Sequence, residues 1–433
     1  MSEWKATEIG LIPAFWEVTT LEAIAEVITD GSHFSPKATS TGRYMASVKD
    51  MRYGGFNFSD CKLISEDDYL SLKKAGCSPN LGDVLISKDG NNCLDIIFVY
   101  SQQQQIVLLS SIAIVRLRKE LYNPFFLTYF LLSPVAQEIM RSWFVSGTAV
   151  PRVVLKNFKK VPVPKIPLKE QDEIVTVVSC LDRKIENLRR QNETLEAIAQ
   201  TLFKHWFVDF EFPNEDGKPY KSSGGAMERS ELGEIPADWH FLQLGDVATN
   251  YSETHKFKNK SEVVFINTGD VLEGNFLHHD YSPIGTLPGQ AKKKIRRNDI
   301  LYSEIRPINK RFAYVNFSDN LDDYVVSTKF MVIRSNHKIL SRLLYLILKR
   351  DSTLQEFQYI AESRSGTFPQ ITFESVSRLP IVIPEIMLQE KLMSVITPLL
   401  EKREFNIQKI ETLTKTRDVL LPKLMSGQIR VGG

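Results

Sequence analysis

The chain has 433 residues, 43% hydrophobic and 24% charged, with 54 Lys and Arg against 52 Asp and Glu for a net charge of +2. That is ordinary globular composition, long enough for two or three domains, and the net charge alone names no partner. Cys61, Cys77, Cys93 and Cys180 form no CxxC pair and read as reduced thiols of a cytoplasmic protein, while the start carries no signal-peptide pattern and no run reaches 18 uncharged apolar residues, so no membrane span is expected.

Residues 1–160 read as short strands, turns and a few helices. The Val- and Ile-rich runs at 83–87 and 106–117 predict strands, and 124–132 and 134–143 predict helices with a proline in the first turn. The polar loops here are rich in groups that suit phosphates or base edges. They offer His33 and Lys37, Lys49 and Arg52, Lys88 and Asn91, then Thr148 and Arg152. Each loop taken alone is equally a solvated turn.

Residues 161–210 are dominated by one predicted helix over 167–207. Ile174, Val178, Leu181, Ile185, Leu188, Asn192, Leu195, Ala199, Leu202 and Trp206 follow at alternating steps of four and three, the seam of a coiled coil. A polar residue at a seam position, here Asn192, fixes register at some cost in stability. At 1.5 Å per residue such a helix is roughly 60 Å long. The segment 211–230, rich in Pro, Gly, Ser and charge, reads as an exposed linker.

From 231 to 378 the chain repeats itself. GLIPAFWEV returns as GEIPADWHF, NLGDVLISK as RNDILYSEI, SGTAVP as SGTFP, and KKVPVP as SRLPIVIP. Strands are expected at 300–303 and 325–333, and helices at 340–349 and 353–360. Three basic runs stand out, holding Lys256 and Lys258, then Lys292, Lys293 and Lys294, then Arg306, Asn309 and Lys310. Arg364, Thr367 and Gln370 follow in the second SGT loop, with Gln370 aligned to Arg152. A charge run is usually a solvated face, but three in one small domain suit a phosphate track. Residues 379–433 carry a second, less regular helix over 388–424, with Ile396, Leu399, Ile410, Leu413 and Leu420 as apolar contacts and Arg403 and Arg417 on or near its seam. Pro398 should kink or delay it, and Pro422 should end or bend it. Its natural partner is the central helix, in an antiparallel pair.

Each copy thus opens on IPxxW, closes on SGT and a proline, and leads into a long helix; WFVDFEFPNEDGKPYKSSGGAM lies between the copies. In that order the motifs resemble the specificity subunit of type I restriction-modification systems, over essentially the whole chain. The resemblance implies an α+β fold with two similar target recognition domains separated by two long antiparallel helices, in a pseudo-twofold arrangement. It implies that each domain reads half of a split, asymmetric double-stranded DNA target. It also implies that the helices space the half-sites and dock two methyltransferase subunits, through which restriction and translocase subunits join. No catalytic residue, cofactor or metal is implied. The residues agree: NPFF at 123–126 lacks the second proline of a methyltransferase motif, and no P-loop, HExxH or paired Cys/His spacing occurs. Gln389 stands where a nuclease motif needs an acid, and His278–His279 reads as a surface pair.

Overall fold

The structure, a computed structural model, describes residues 3–146, 151–317, 320–364 and 367–431. It divides into two compact units, Met1–Arg189 with Ile407–Gly433 and Arg190–Asn406. Each unit therefore takes in part of both long helices.

In the first unit the apolar runs assemble a four-stranded antiparallel sheet, ordered Ile97–Val99, Val84–Ser87, Ile112–Leu117, Ala25–Asp30. Its two inner strands are buried almost throughout, so they read as continuous rather than alternating apolar runs. Beside it, Arg43–Ala46 pairs with Ile106–Leu108 in parallel and with Lys62–Ile64 in antiparallel. The single strand expected over 106–117 is therefore two strands in different sheets. Polar Ser110 and Ser111 turn the chain, and Ile112 N–H closes onto the Leu109 carbonyl at 3.0 Å. Pro124–Leu131 and Pro134–Phe144 are helices as expected, capped by Asn123 and Ser133.

The second unit repeats this plan. One sheet runs Ala248–Tyr251, Phe330–Ser335, Ile300–Ser303, Phe312–Tyr314, and the other Tyr281–Pro283, Glu262–Ile266, Tyr324–Ser327, Ala291–Lys294. The expected strand over 325–333 again splits in two, with a turn at Thr328 and Lys329. Ala291–Lys294 is an addition. In the first unit that sheet edge is met by a loop after the helix Glu66–Lys74, where Leu108 N–H donates to the Cys77 carbonyl at 2.8 Å.

Both long helices span forty residues, Leu168–Phe207 and Ile386–Met425. Neither proline interrupts the second. The missing N–H groups leave the carbonyls of Ser394 and Asp418 without helical donors, but both residues face solvent, which satisfies them. Nor is its seam irregular. Gln389, Leu392, Ile396, Leu399, Arg403, Asn406, Ile410, Leu413, Arg417, Leu420 and Leu424 alternate steps of three and four, and all are buried or half-buried. On the central helix Ile174, Val178, Ile185, Leu188 and Ala199 are buried, and Leu181, Asn192, Leu195, Leu202 and Trp206 half-buried. In each unit the two helix parts run antiparallel.

One glutamine per unit ties helix to domain. Gln171 is fully buried; its Nε2 donates to the Leu121 and Ile166 carbonyls, and its Oε1 accepts from Asn123 N–H. Gln389 does the same with Lys338, Pro384 and Leu340. The segment 211–230 is no bare linker: Phe212 stacks on Tyr220 and Trp239 at 4.6 and 5.2 Å, and the Glu211 carboxylate accepts from Ser222.

Candidate nucleic-acid interface

Each unit has one strand whose start and end are fixed in the same way. At the start lies a buried aspartate, Asp83 or Asp299. It accepts the N–H three residues earlier and takes a bidentate guanidinium from the neighbouring strand. Arg116 reaches Asp83 at 2.9 and 2.8 Å, and Arg334 reaches Asp299 at 2.7 and 2.9 Å. Such forked pairs define direction as well as distance. At the far end the strand runs into a loop clipped to the segment after SGT. Gly90 N–H donates to the Pro151 carbonyl at 3.0 Å, and Val153 N–H to Lys88 at 2.8 Å. In the second unit Arg306 N–H donates to Pro369 at 3.1 Å, and Ile371 N–H to Glu304 at 2.8 Å. The bridges Asp89–Arg152 and Ile305–Gln370 occupy the same slot.

The slot is one backbone arrangement carrying different side chains. In the first unit it holds Lys88, Asp89, Gly90 and Arg152. Arg152 Nε lies 3.3 Å from Asp89, and His33 Nε2 lies 3.5 Å from Asp30. His33, Asn91 and Arg152 are exposed. Lys88 is only 3% exposed and sits between Asp30 at 3.1 Å and Asp89 at 3.8 Å, so it is an internal counter-ion and not the free cation the sequence suggests. In the second unit Glu304, Ile305, Arg306 and Gln370 fill the slot, with Arg306 and Thr367 exposed and Gln370 half-buried. Arg306 has φ +43, the left-handed region, where the first unit has Gly90 at φ +89. Asn309 is exposed, whereas Lys310 lies between Glu273 and Asp351 at 3.4 and 3.6 Å, and Arg364 reaches the Thr372 hydroxyl at 3.3 Å. Thr148 lies outside the described residues.

The other basic runs meet in the second unit. The segment 254–260 lies along the strand Ala291–Lys294, joined by a bridge between Thr254 and Lys293 and by His255 N–H donating to the Lys292 carbonyl at 2.7 Å. Lys256, Lys258 and Lys292 project into solvent. Strand alternation turns Lys293 inward, where its Nζ donates to the Phe330 carbonyl at 2.6 Å; burial pulls its pKa below the ordinary lysine value. Lys294 pairs with Asp322 at 2.8 Å, so it too is partly neutralised. In the first unit Lys37 and Lys49 are exposed, but Arg52 folds back onto the Lys49 and Met51 carbonyls at 2.7 and 2.8 Å. Arg52 thus braces its own hairpin. His278 and His279 are held by Asp270 and the Tyr324 hydroxyl, and no metal-binding cluster occurs among the described residues.

The family described as Type I restriction modification DNA specificity domain matches residues 13–197 and 236–415, one match on each repeat. The chain belongs to this specificity family. It is 51% identical over 185 residues to the Type I restriction enzyme HindI specificity subunit of Haemophilus influenzae, a stretch covering 42% of this chain and 40% of that relative. It is 25% identical to the MjaIX specificity subunit of Methanocaldococcus jannaschii over 99% of this chain and 97% of that one. The crystal structure of a type I S subunit from M. genitalium resembles it in fold, with TM-score 0.60 at 16% identity, covering 94% and 96% of the two chains. The specificity domains are thus two copies of one α+β frame. The residues that build the frame, Asp83 with Arg116 and Asp299 with Arg334, escape sequence reading because each pair joins strands over thirty residues apart.

Proposed function

We propose that this chain is the DNA-reading subunit of a type I restriction-modification assembly, acting in the cytoplasm and itself non-catalytic. Each specificity domain reads one half of a bipartite, asymmetric double-stranded target through its strand-end slot. Exposed His33, Asn91 and Arg152 serve in one domain, and Arg306, Asn309, Thr367 and Gln370 in the other, with Lys37, Lys49, Lys256, Lys258 and Lys292 on phosphates. The helix pair spaces the half-sites and docks two methyltransferase subunits for adenine methylation, and these bring in the restriction and translocase subunits. Large apolar side chains left exposed on the long helices, among them Met387, Phe405 and Val419, support docking there.

One observation carries the reading: a conserved-in-shape slot, clipped by the same backbone hydrogen bonds in both units, presents unlike side chains in each. Arg favours guanine edges and Gln favours adenine edges, so Arg152 and Gln370 suit different half-sites. The test is a gel-shift series on the target, found by methylation profiling, with the gap between half-sites changed by one or two base pairs. Binding should fall at least about tenfold off the native gap, a single mismatch-sized penalty. Equal binding at every gap would refute a spaced, two-part reader.

A further inference from the structure

In the first unit a β-hairpin, Met51–Arg52 with Gly55–Phe56, carries Tyr53 at its turn. The Tyr53 hydroxyl accepts from Arg417 Nη1 at 3.3 Å, and the same nitrogen donates to Asp182 Oδ1 at 3.0 Å. The other Asp182 oxygen accepts from the Tyr129 hydroxyl at 2.8 Å. The chain of contacts runs from hairpin to C-terminal helix, to central helix, and back to the domain's helix Pro124–Leu131.

The second unit repeats it with other residues. Its hairpin, Val271–Leu272 with Asn275–Phe276, offers Asn275 Oδ1 to Arg403 Nη2 at 3.4 Å. Arg403 Nε lies 3.3 Å from Glu196, whose other oxygen takes Lys349 Nζ at 2.6 Å, just past the helix Ser341–Leu348. Asp182 and Glu196 lie two heptads apart, and so do Arg403 and Arg417. Both acids follow a seam residue directly, the flanking position from which charges pair across a coiled coil. Asp182, Glu196, Arg403, Arg417 and Lys349 are each no more than 24% exposed. A heptad-phased ion pair that also grips a hairpin, made twice on an arginine but with different acids and hairpin residues, is more than surface decoration.

We propose that Asp182–Arg417 and Glu196–Arg403 are clasps that position each specificity domain on the helix pair, and that they set how strictly the protein enforces one half-site gap. They are positioning residues, acting through Tyr53 and Asn275 and not on DNA. This rests on the two-part reading above. A domain tied only by its sheet and helix ends can pivot about the helices; a hairpin gripped at a third point cannot. Loosening the grip widens the range of gaps a domain reaches without altering the bases it reads.

The test uses the full chain with Tyr53→Phe and Asn275→Ala combined, which removes both hairpin links and leaves both ion pairs in place. Arg403→Met is a second variant; Glu196 keeps Lys349 there, so no charge is stranded. Measured on the gap series, the variants should lose about five- to tenfold of the discrimination between native and shifted gaps, the size of one ordinary net hydrogen bond. Affinity at the native gap should change less than about threefold. Amide exchange in 51–56 and 271–276 should quicken. Arg403→Lys should restore thermal stability through Glu196 but not gap discrimination, since a lysine lacks the forked reach. Lower stability with gap discrimination intact would mean a purely structural ion pair and overturn the proposal. Gap-indifferent binding by the unaltered protein would overturn both readings, whereas discrimination equal in variant and unaltered protein overturns the clasp alone.

Discussion

Arg306 holds a backbone conformation that its counterpart reaches as glycine. At φ +43 it meets the steric cost of a left-handed L-residue, about 1–2 kcal/mol. Gly90, clipped by the same hydrogen bond, has no such cost. A strained residue persists where the surroundings over-determine it and its side chain has a use. Contact with DNA is the use we propose for the exposed guanidinium at the end of its strand. Arg306→Gly should therefore move two measurements in opposite directions. Stability in urea should rise by about 0.5–1 kcal/mol, the relieved strain less the extra freedom of an unfolded glycine. Affinity for the native target should fall about tenfold, the lower end of a lost arginine contact. A variant that binds as before would show the side chain idle and leave the strain unexplained.

The long helices show which parts of an element a sequence exposes. The central seam was legible because aliphatic residues mark every position but Asn192 and Trp206. The second helix hid an equally regular seam because four of its positions are polar: Arg403 and Arg417 could be set on or near it, but Gln389 and Asn406 fall outside a search for apolar residues. Their partners explain them. Asn406, 1% exposed, donates to Asn192 at 3.0 Å, and the arginines face Asp182 and Glu196. Polar seam residues become readable only once both helices are laid together. The strands show the converse: 106–117 and 325–333 read as single runs because both flanks of each turn are apolar. Lys293 shows a third gap, since three consecutive lysines cannot reveal which one the strand turns inward. Pro398 does not delay the helix, which runs from Ile386, and the helix should still bear its cost. Restoring the N–H with Pro398→Ala at this solvent-facing position should stabilise the second unit by about 1–3 kcal/mol. A raised melting temperature in calorimetry is the expected result; an unchanged or lower one would mean the proline shapes the helix in a way its neighbours need.

At the scale of the whole chain, a net charge of +2 must be reconciled with a polyanionic partner. The structure does it by local neutralisation. Arg116, Arg334, Lys88, Lys294, Lys310, Arg403 and Arg417 are matched to acids of the frame. They hold the domains together and contribute little field outside. Among the cations left facing solvent, Lys256, Lys258 and Lys292 line up on adjoining segments of the second domain. Salt dependence of DNA binding counts phosphates neutralised, at a slope of about 0.9 per contact in log–log form. Replacing these three lysines with glutamine should lower that slope by about 2 to 3 and weaken binding to all sequences alike, leaving base preference unchanged. Replacing Lys88, Lys293 and Lys294 removes the same formal charge, but two of the three are buried. That variant should lose stability first and change the slope by about 1 at most, the share of half-exposed Lys294. Equal slopes for the two triple variants would mean that charge count, and not its placement on the fold, governs the encounter with DNA.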